Sequence, residues 1–276
     1  MYSKRDYPDE KTAEELNRKY GDEPLESDEP LHRRRFLVIR LAAFLVVLVF
    51  FIFTMGGLLQ VWPAFDFLSE SRELSEDPVV QELRKSVVNI RVISLGAGGS
   101  LSGTRGGTGF NISPDGLIIT NRHVLEEARM VFVLFPGHGI FQVTGWAEHS
   151  SVDLAAVSID GNDLPTVQVS RGGLSDSGDE VLIIGNPLGF SRVAARGQVE
   201  GYRHFSAGAG EKAMVVSAPI HPGSSGSPVF DLAGEVVGVV FASILAENTE
   251  EGRGLCVPLD RLQDFVHALN ENPPGS

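Results

Sequence analysis

From Leu41 to Leu59 the chain reads LAAFLVVLVFFIFTMGGLL, 19 residues without a charge. A helix of that length rises about 28 Å, close to the hydrocarbon thickness of a bilayer. It would be apolar on every face, which a soluble domain of this size has little use for. The charged stretch ahead of it is too long for a cleaved signal peptide, and no small-x-small site comes after Thr54. The reading is an uncleaved transmembrane signal anchor over residues 36–62. Arg33, Arg34, Arg35 and Arg40 lie on its N-terminal side and only Arg72 lies close on the other. The excess of positive charge keeps the N-terminus in the cytoplasm and exports residues 63–276.

The rest of the pattern divides in four. Residues 1–35 are polar and charge-dense and read as a solvated, disordered tail, although Thr12–Glu15 could cap a short helix. Residues 63–78, with Pro63, Pro78 and the acids Glu70, Glu73, Glu76 and Asp77, read as a juxtamembrane linker. Residues 79–270 form the globular part, and 271–276 a loose tail. Within the globular part, Val79–Lys85 suggests one or two helical turns. Strands are then expected at Ser86–Val92, Gly107–Ile112, Leu117–Asn121, Met130–Phe135, Gln142–Trp146 and Leu154–Ile159, and again at Glu180–Ile184, Gln198–Tyr202, Met214–Ser217 and Glu235–Phe241. Ser113-Pro114-Asp115-Gly116 is a hairpin turn between two of them. Leu262, Phe265, Val266 and Leu269 mark one face of a closing helix. The glycine-rich run from Leu95 to Gly106 opens no helix and lacks Gly-Lys-Ser/Thr, so it reads as a surface loop and not as a phosphate cradle.

Composition sharpens this picture in three places. Glycine, at 31 of 276 residues, fits a turn-rich, mostly β domain. Residues 63–276 carry 14 basic against 26 acidic side chains, a net charge of −12 that repels phosphate backbones and argues against nucleic acid as a partner. The single cysteine, Cys256, cannot pair within the chain.

Candidate chemistry lies in three ordered pieces. Thr120-Asn121-Arg122-His123-Val124 puts a histidine just past an apolar strand. Ser151-Val152-Asp153-Leu154 puts an aspartate just before another. His221-Pro222-Gly223-Ser224-Ser225-Gly226-Ser227-Pro228 sets a serine among glycines on a turn, where backbone N–H groups can face a substrate carbonyl. Each alone is an ordinary loop residue. The order serine, acid, histidine of the α/β-hydrolases does not fit, because Gly-x-Ser-x-Gly fails at Ser227 and the only later histidine is His267. His32, His138, His149, His204 and His267 show no metal-ligand spacing, and no cofactor is implied.

Taken together the pieces resemble the trypsin-like serine proteases, specifically the Deg/HtrA branch. Thr120–Val124 matches its T-N-x-H-V motif, Gly107–Gly116 its glycine-rich hairpin, and Asp153–Ala156 its D-L-A-V. Ile184-Gly185-Asn186-Pro187-Leu188-Gly189 is similar to its I-G-N-P-x-G loop, and Leu255-Cys256-Val257-Pro258 to its closing segment. The resemblance implies two six-stranded antiparallel β-barrels with a C-terminal helix. It makes Ser225 the nucleophile, His123 the general base and Asp153 its orienting acid, with the backbone N–H groups of Gly223, Ser224 and Ser225 as the oxyanion hole. It also places Pro219, Ile220, Val240, Phe241 and Ala242 around the primary specificity pocket, an apolar set without an acid for Lys or Arg. His221, Ser224 and Ser227 depart from the residues usual in the family's nucleophile loop. The implied function is a membrane-anchored serine endopeptidase acting on protein or peptide substrates outside the cytoplasm, on the periplasmic side of a bacterial inner membrane. The altered loop keeps a rival open, a latent or non-catalytic binding module of the same fold. Sixteen residues beyond Asp260 leave no room for the PDZ domain usual in the family. Trimers are common there, and no residue here demands one.

Overall fold

The structure is a computed structural model. It describes residues 10–20, 39–51, 69, 71–95, 101–205, 211–245 and 252–274. They fall in two units, Met1–Trp62 and Pro63–Ser276. In the first, Glu10–Tyr20 is an α-helix (α1), opened by an acid and closed by Arg18 and Lys19, which suits the helix dipole. The helix takes in the Thr12–Glu15 stretch that the sequence offered as a short helix in a solvated tail. Residues 39–51 form a second helix (α2) on which Ile39, Leu41, Phe44, Leu45, Val47 and Phe50 are all exposed. Among the described residues no helix is long and apolar enough to cross a membrane. The remainder of the expected anchor, residues 52–62, lies outside them.

The second unit is mostly β and agrees with the two-barrel expectation. Helix α3 (Pro78–Lys85) leads into β1 (Val87–Leu95), β2 (Leu101–Asn111), β3 (Leu117–Thr120), the one-turn helix α4 (Arg122–Leu125), β4 (Met130–Phe135), β5 (Gly139–Glu148) and β6 (Ala155–Ile159). These strands close a barrel in the order β1-β2-β3-β6-β5-β4. Then come β7 (Glu180–Gly185), β8 (Val193–Phe205), β9 (Glu211–Ser217), β10 (Pro228–Phe230), β11 (Val236–Leu245), β12 (Gly252–Pro258) and helix α5 (Leu259–Glu271). The second barrel runs β10-β11-β12-β9-β8-β7, and every strand pair in both is antiparallel.

Residues 96–100 of the glycine-rich run lie outside the described residues, and the rest of it departs from its reading as a loop. Residues 101–106 continue β2, pairing Ser94 with Gly103 and Arg91 with Gly106. The ladder needs only backbone, and β1 supplies the β-branched side chains. At Gly109 a Cβ would stand 2.8 Å from Ile118 and 2.9 Å from Ile90, so the missing side chain is what lets those two isoleucines fill the barrel.

Three apolar clusters hold the unit together. Ile90, Val92, Ile118, Val133 and Val157 fill the first barrel, and Val181, Ile183, Met214, Val216, Val240 and Cys256 the second. The third is the seam, where Phe110, Ile119 and Leu154 meet Ile184, Ala194, Phe230 and Val239, with Leu262, Phe265 and Leu269 of α5 laid across it. Cys256 is fully buried, and burial pushes its thiol pKa up.

Packing reaches further at both ends than the sequence pattern suggests. In the stretch read as a linker, Leu74 is buried in the seam and the Ser71 hydroxyl accepts the Ala194 N–H at 3.0 Å. Arg84 of α3 donates to the Ser71 carbonyl at 3.1 Å. At the other end the Pro274 carbonyl accepts from the Ser158 hydroxyl at 3.2 Å. Leu74→Ala is therefore expected to lower stability by about 2–4 kcal/mol, read as a lower urea midpoint. A substitution in a loose linker would leave the midpoint unmoved.

Candidate active site

His123 sits in the single turn of α4, entered directly from β3. Asn121, at the position where a side chain would cap that helix, instead donates its amide to the Asp153 carbonyl at 2.7 Å. The two segments are thus tied before their functional groups meet. The Asp153 carboxylate then grips His123 twice. Its Oδ1 accepts the His123 backbone N–H at 3.0 Å and its Oδ2 lies 2.6 Å from Nδ1. A carboxylate at Nδ1 keeps the proton there and leaves Nε2 as the basic lone pair. Burial works against ionisation of Asp153, but the hydrogen bonds from the His123 ring and backbone outweigh it, and the carboxyl is held below its ordinary range.

Ser225 comes from the second barrel, on two turns in tandem. The Ser224 N–H returns to the His221 carbonyl at 3.0 Å, and the Ser227 N–H to the Ser224 carbonyl, also at 3.0 Å. Each turn has glycine as its third residue in the left-handed region, Gly223 at φ +97° and Gly226 at φ +86°. That is the signature of type II turns, and Pro222 at the second position of the first turn suits it. Neither glycine has room for a side chain. A Cβ would come within 2.5 Å of the Asn186 carbonyl oxygen at Gly223 and 2.0 Å of the Thr108 carbonyl oxygen at Gly226.

The turns sort the three expected oxyanion donors. The Ser224 N–H is committed to His221, which removes it from the set. The N–H groups of Gly223 and Ser225 make no hydrogen bond among the described residues, so both are free for a developing oxyanion. The Ser225 hydroxyl likewise makes none among the described residues; in apo enzymes catalytic hydrogen bonds are often long and tighten with substrate.

Residues that the motif reading had not assigned a role support this loop. Thr108 of β2 donates its N–H to the Ser225 carbonyl at 2.8 Å and its hydroxyl to the Gly223 carbonyl at 2.8 Å. The same hydroxyl accepts the Asn186 N–H at 2.9 Å. The Leu188 N–H holds the Pro222 carbonyl at 2.7 Å. Leu188 and Arg192 both adopt a positive φ without being glycine, at 53° and 56°. Such strain costs on the order of 1–3 kcal/mol per residue and persists only where the surroundings impose it. Here Asn186 Oδ1 anchors the Arg192 N–H at 2.9 Å.

The expected pocket residues divide. Ile220, Phe241 and Ala242 are half-buried and Pro219 is exposed. Val240 is a correction to the expected pocket wall. Its side chain lies in the second-barrel core, and it serves the site through backbone, accepting the Gly226 N–H at 2.8 Å and donating to the Ser227 carbonyl at 2.9 Å. Ile220 packs over Gly254, where a Cβ would meet it at 3.0 Å. Burial depresses the pKa of half-buried His221 and favours its neutral ring. Ser227 is fully buried, and its hydroxyl has no partner among the described residues.

Comparison with known proteins agrees with this geometry. The family model of the trypsin-like peptidase domain matches residues 107–239. A protein of Pseudomonas savastanoi pv. phaseolicola, named "Probable periplasmic serine endoprotease DegP-like", is 33% identical over 164 residues, covering 59% of this chain and 34% of that protein. A Chlamydia pneumoniae protein of the same name is 30% identical over 154 residues, 55% of this chain and 32% of its own length. The chain thus spans about a third of the length of these relatives. Among solved structures, the active form of the Rv3671c protease from M. tuberculosis is 27% identical with a TM-score of 0.60, covering 74% of this chain and 87% of that one. An HtrA-type protease, AlgW, bound to a tripeptide shares the fold at a TM-score of 0.60, with 24% identity over 71% of this chain and 64% of its own. Over these stretches the chain is similar to a trypsin-like peptidase domain and to proteins named as serine endoproteases of the DegP type.

Thr108→Val should strand the Gly223 carbonyl and the Asn186 N–H, each at a cost of about 1–3 kcal/mol, read as a lower urea midpoint. Because its folded pKa is depressed, Asp153 contributes stability above the ordinary carboxyl pKa of about 3.9. That contribution is lost as pH falls through the lower folded value. The stability difference between wild type and Asp153→Asn should therefore shrink as pH falls below about 5, measured by urea unfolding across pH.

Proposed function

We propose that the chain is a membrane-anchored serine endopeptidase that hydrolyses peptide bonds of extracytoplasmic proteins through Ser225, His123 and Asp153. The observation that carries this reading is the doubly bonded Asp153–His123 pair together with a nucleophile loop whose Gly223 and Ser225 N–H groups have no acceptor among the described residues.

Each of these groups has a part in the reaction. Ser225 Oγ attacks the scissile carbonyl carbon while His123 Nε2 takes its proton. Asp153 remains an anion and stabilises the imidazolium. The oxyanion points at the N–H groups of Gly223 and Ser225. Collapse breaks the C–N bond, and the departing amine leaves with the proton from His123. Water then repeats the sequence on the acyl-enzyme, releasing the acid and restoring Ser225. The half-buried Ile220, Phe241 and Ala242 favour a small or medium apolar side chain before the cleaved bond.

Anchoring by residues 36–62 is supported by the uncharged run and by α2, whose large apolar side chains are exposed all round. The arginines ahead of it support a cytoplasmic N-terminus, and the periplasmic relatives fit a protease domain on the far side.

The test uses the full chain, a fluorophosphonate probe and unfolded casein. Wild type should label and cleave, Ser225→Ala should do neither, and Asp153→Asn should lose about 10⁴ in kcat. A folded wild type that takes no label overturns the reading. A reporter fused after Ser276 should be active only outside the cytoplasm; activity confined to the cytoplasm would reverse the topology.

A further inference from the structure

Asp153 stands on the turn of residues 149–154, whose apolar side chains, Val152 and Leu154, are both buried in the seam. His149 fixes the turn. The ring Nδ1 of His149 accepts two backbone amides, from Ser151 and from Val152, each at 3.1 Å. Its backbone N–H closes the turn on the Leu154 carbonyl at 2.9 Å, and Leu154 in turn donates to the Val152 carbonyl at 2.8 Å. The carbonyl of His149 accepts from Arg122, the neighbour of the catalytic histidine, at 3.3 Å. From outside, the Phe265 ring of α5 meets the imidazole edge to face, with centroids 5.6 Å apart at 69°. Phe265 is itself buried in the seam.

This is how an aspartate or asparagine side chain organises a turn, by accepting the N–H groups two and three residues ahead. An imidazole can do so only as the neutral ring with its proton on Nε2, because two N–H donors converge on one Nδ1 lone pair. The turn it shapes ends on Asp153, whose carboxylate holds His123.

We propose that His149 is a positioning residue for the triad. By gathering the Ser151 and Val152 amides on Nδ1, with its ring set by Phe265, it gives residues 149–154 the shape that delivers Asp153 to His123. The inference rests on the peptidase reading for its effect on catalysis, whereas the turn itself does not. Substitution separates the atom from the ring. His149→Asn keeps an acceptor at the place of Nδ1, His149→Gln carries it one methylene too far, and His149→Ala removes it.

The experiment compares the full-length wild type with these three variants in fluorophosphonate labelling, in kcat and KM on fluorescently labelled casein, and in amide hydrogen exchange. Displacing a triad member by a fraction of an ångström to about 1 Å should slow labelling and kcat on the order of 10–100-fold in the Ala and Gln variants. KM should stay within about twofold, since the casein contacts are untouched. The Asn variant should recover to within about threefold of wild type, and the Ser151 and Val152 amides should be protected in wild type and Asn but not in Ala. Wild-type labelling in His149→Ala overturns the inference, as does an Asn variant no faster than Gln; the latter comparison decides the matter if the Ala variant does not fold. A wild type that takes no label overturns the peptidase reading instead, and exchange alone then judges the turn. Equal exchange of the two amides in wild type, Asn and Ala overturns it.

Discussion

Thr108 is a first-barrel residue whose polar atoms hold the Ser225 turn of the second barrel. Its N–H holds the carbonyl of Ser225, its hydroxyl holds the carbonyl of Gly223, and its own carbonyl accepts the Thr120 hydroxyl at 2.7 Å, three residues before His123. One residue, through its backbone and its hydroxyl, therefore fixes the peptide groups on either side of the Ser225 N–H and ties them to the strand that leads to His123. A buried polar network of this kind is strong when complete and costly when broken. It sets the Ser225 turn against the first barrel with hydrogen-bond precision that the apolar seam, which sets only distance and volume, does not supply.

The same network accounts for strain nearby. Asn186 gives its N–H to Thr108 and its side-chain amide to the Val88 carbonyl at 2.8 Å, so the start of the 186–192 loop is pinned to the first barrel. Leu188 then has to turn through a left-handed conformation to bring its N–H onto Pro222. With that carbonyl held there, the N–H of Gly223 on the same peptide group has no partner among the described residues. The cost of the strained backbone is offset by the bonds at either end of the loop.

The stretches around His123, Asp153 and Ser225 stood out in the sequence by their distinctive residues and fixed order, and the structure joins two of the three, Asp153 to His123. The hairpin at Ser113–Gly116 was legible for the same local reason, since its turn chemistry needs no distant partner. What was not legible depends on contacts made across the chain. Nothing in Gly223-Ser224-Ser225 says that the middle N–H will be claimed by His221. That comes from the turn type, which the Asn186 carbonyl and Thr108 help impose. Val240 looked like a pocket wall by position, yet at the irregular pairing between Val240 and Ala242 its side chain lies in the barrel core. Residues 101–106 looked like a loop because glycine is rare in strands, and the β-branched partner strand overrides that preference. Ser71 and Leu74 looked like linker because so short an anchor has no periodicity to detect.

The one cysteine of the chain is sealed in the second barrel, with its thiol pKa raised by burial so that the reactive thiolate is suppressed. The stability of this domain rests on apolar packing and buried hydrogen bonds, neither of which exchanges electrons with its surroundings. The fold can therefore form in a reducing or an oxidising medium alike, with no oxidoreductase or disulfide isomerase needed.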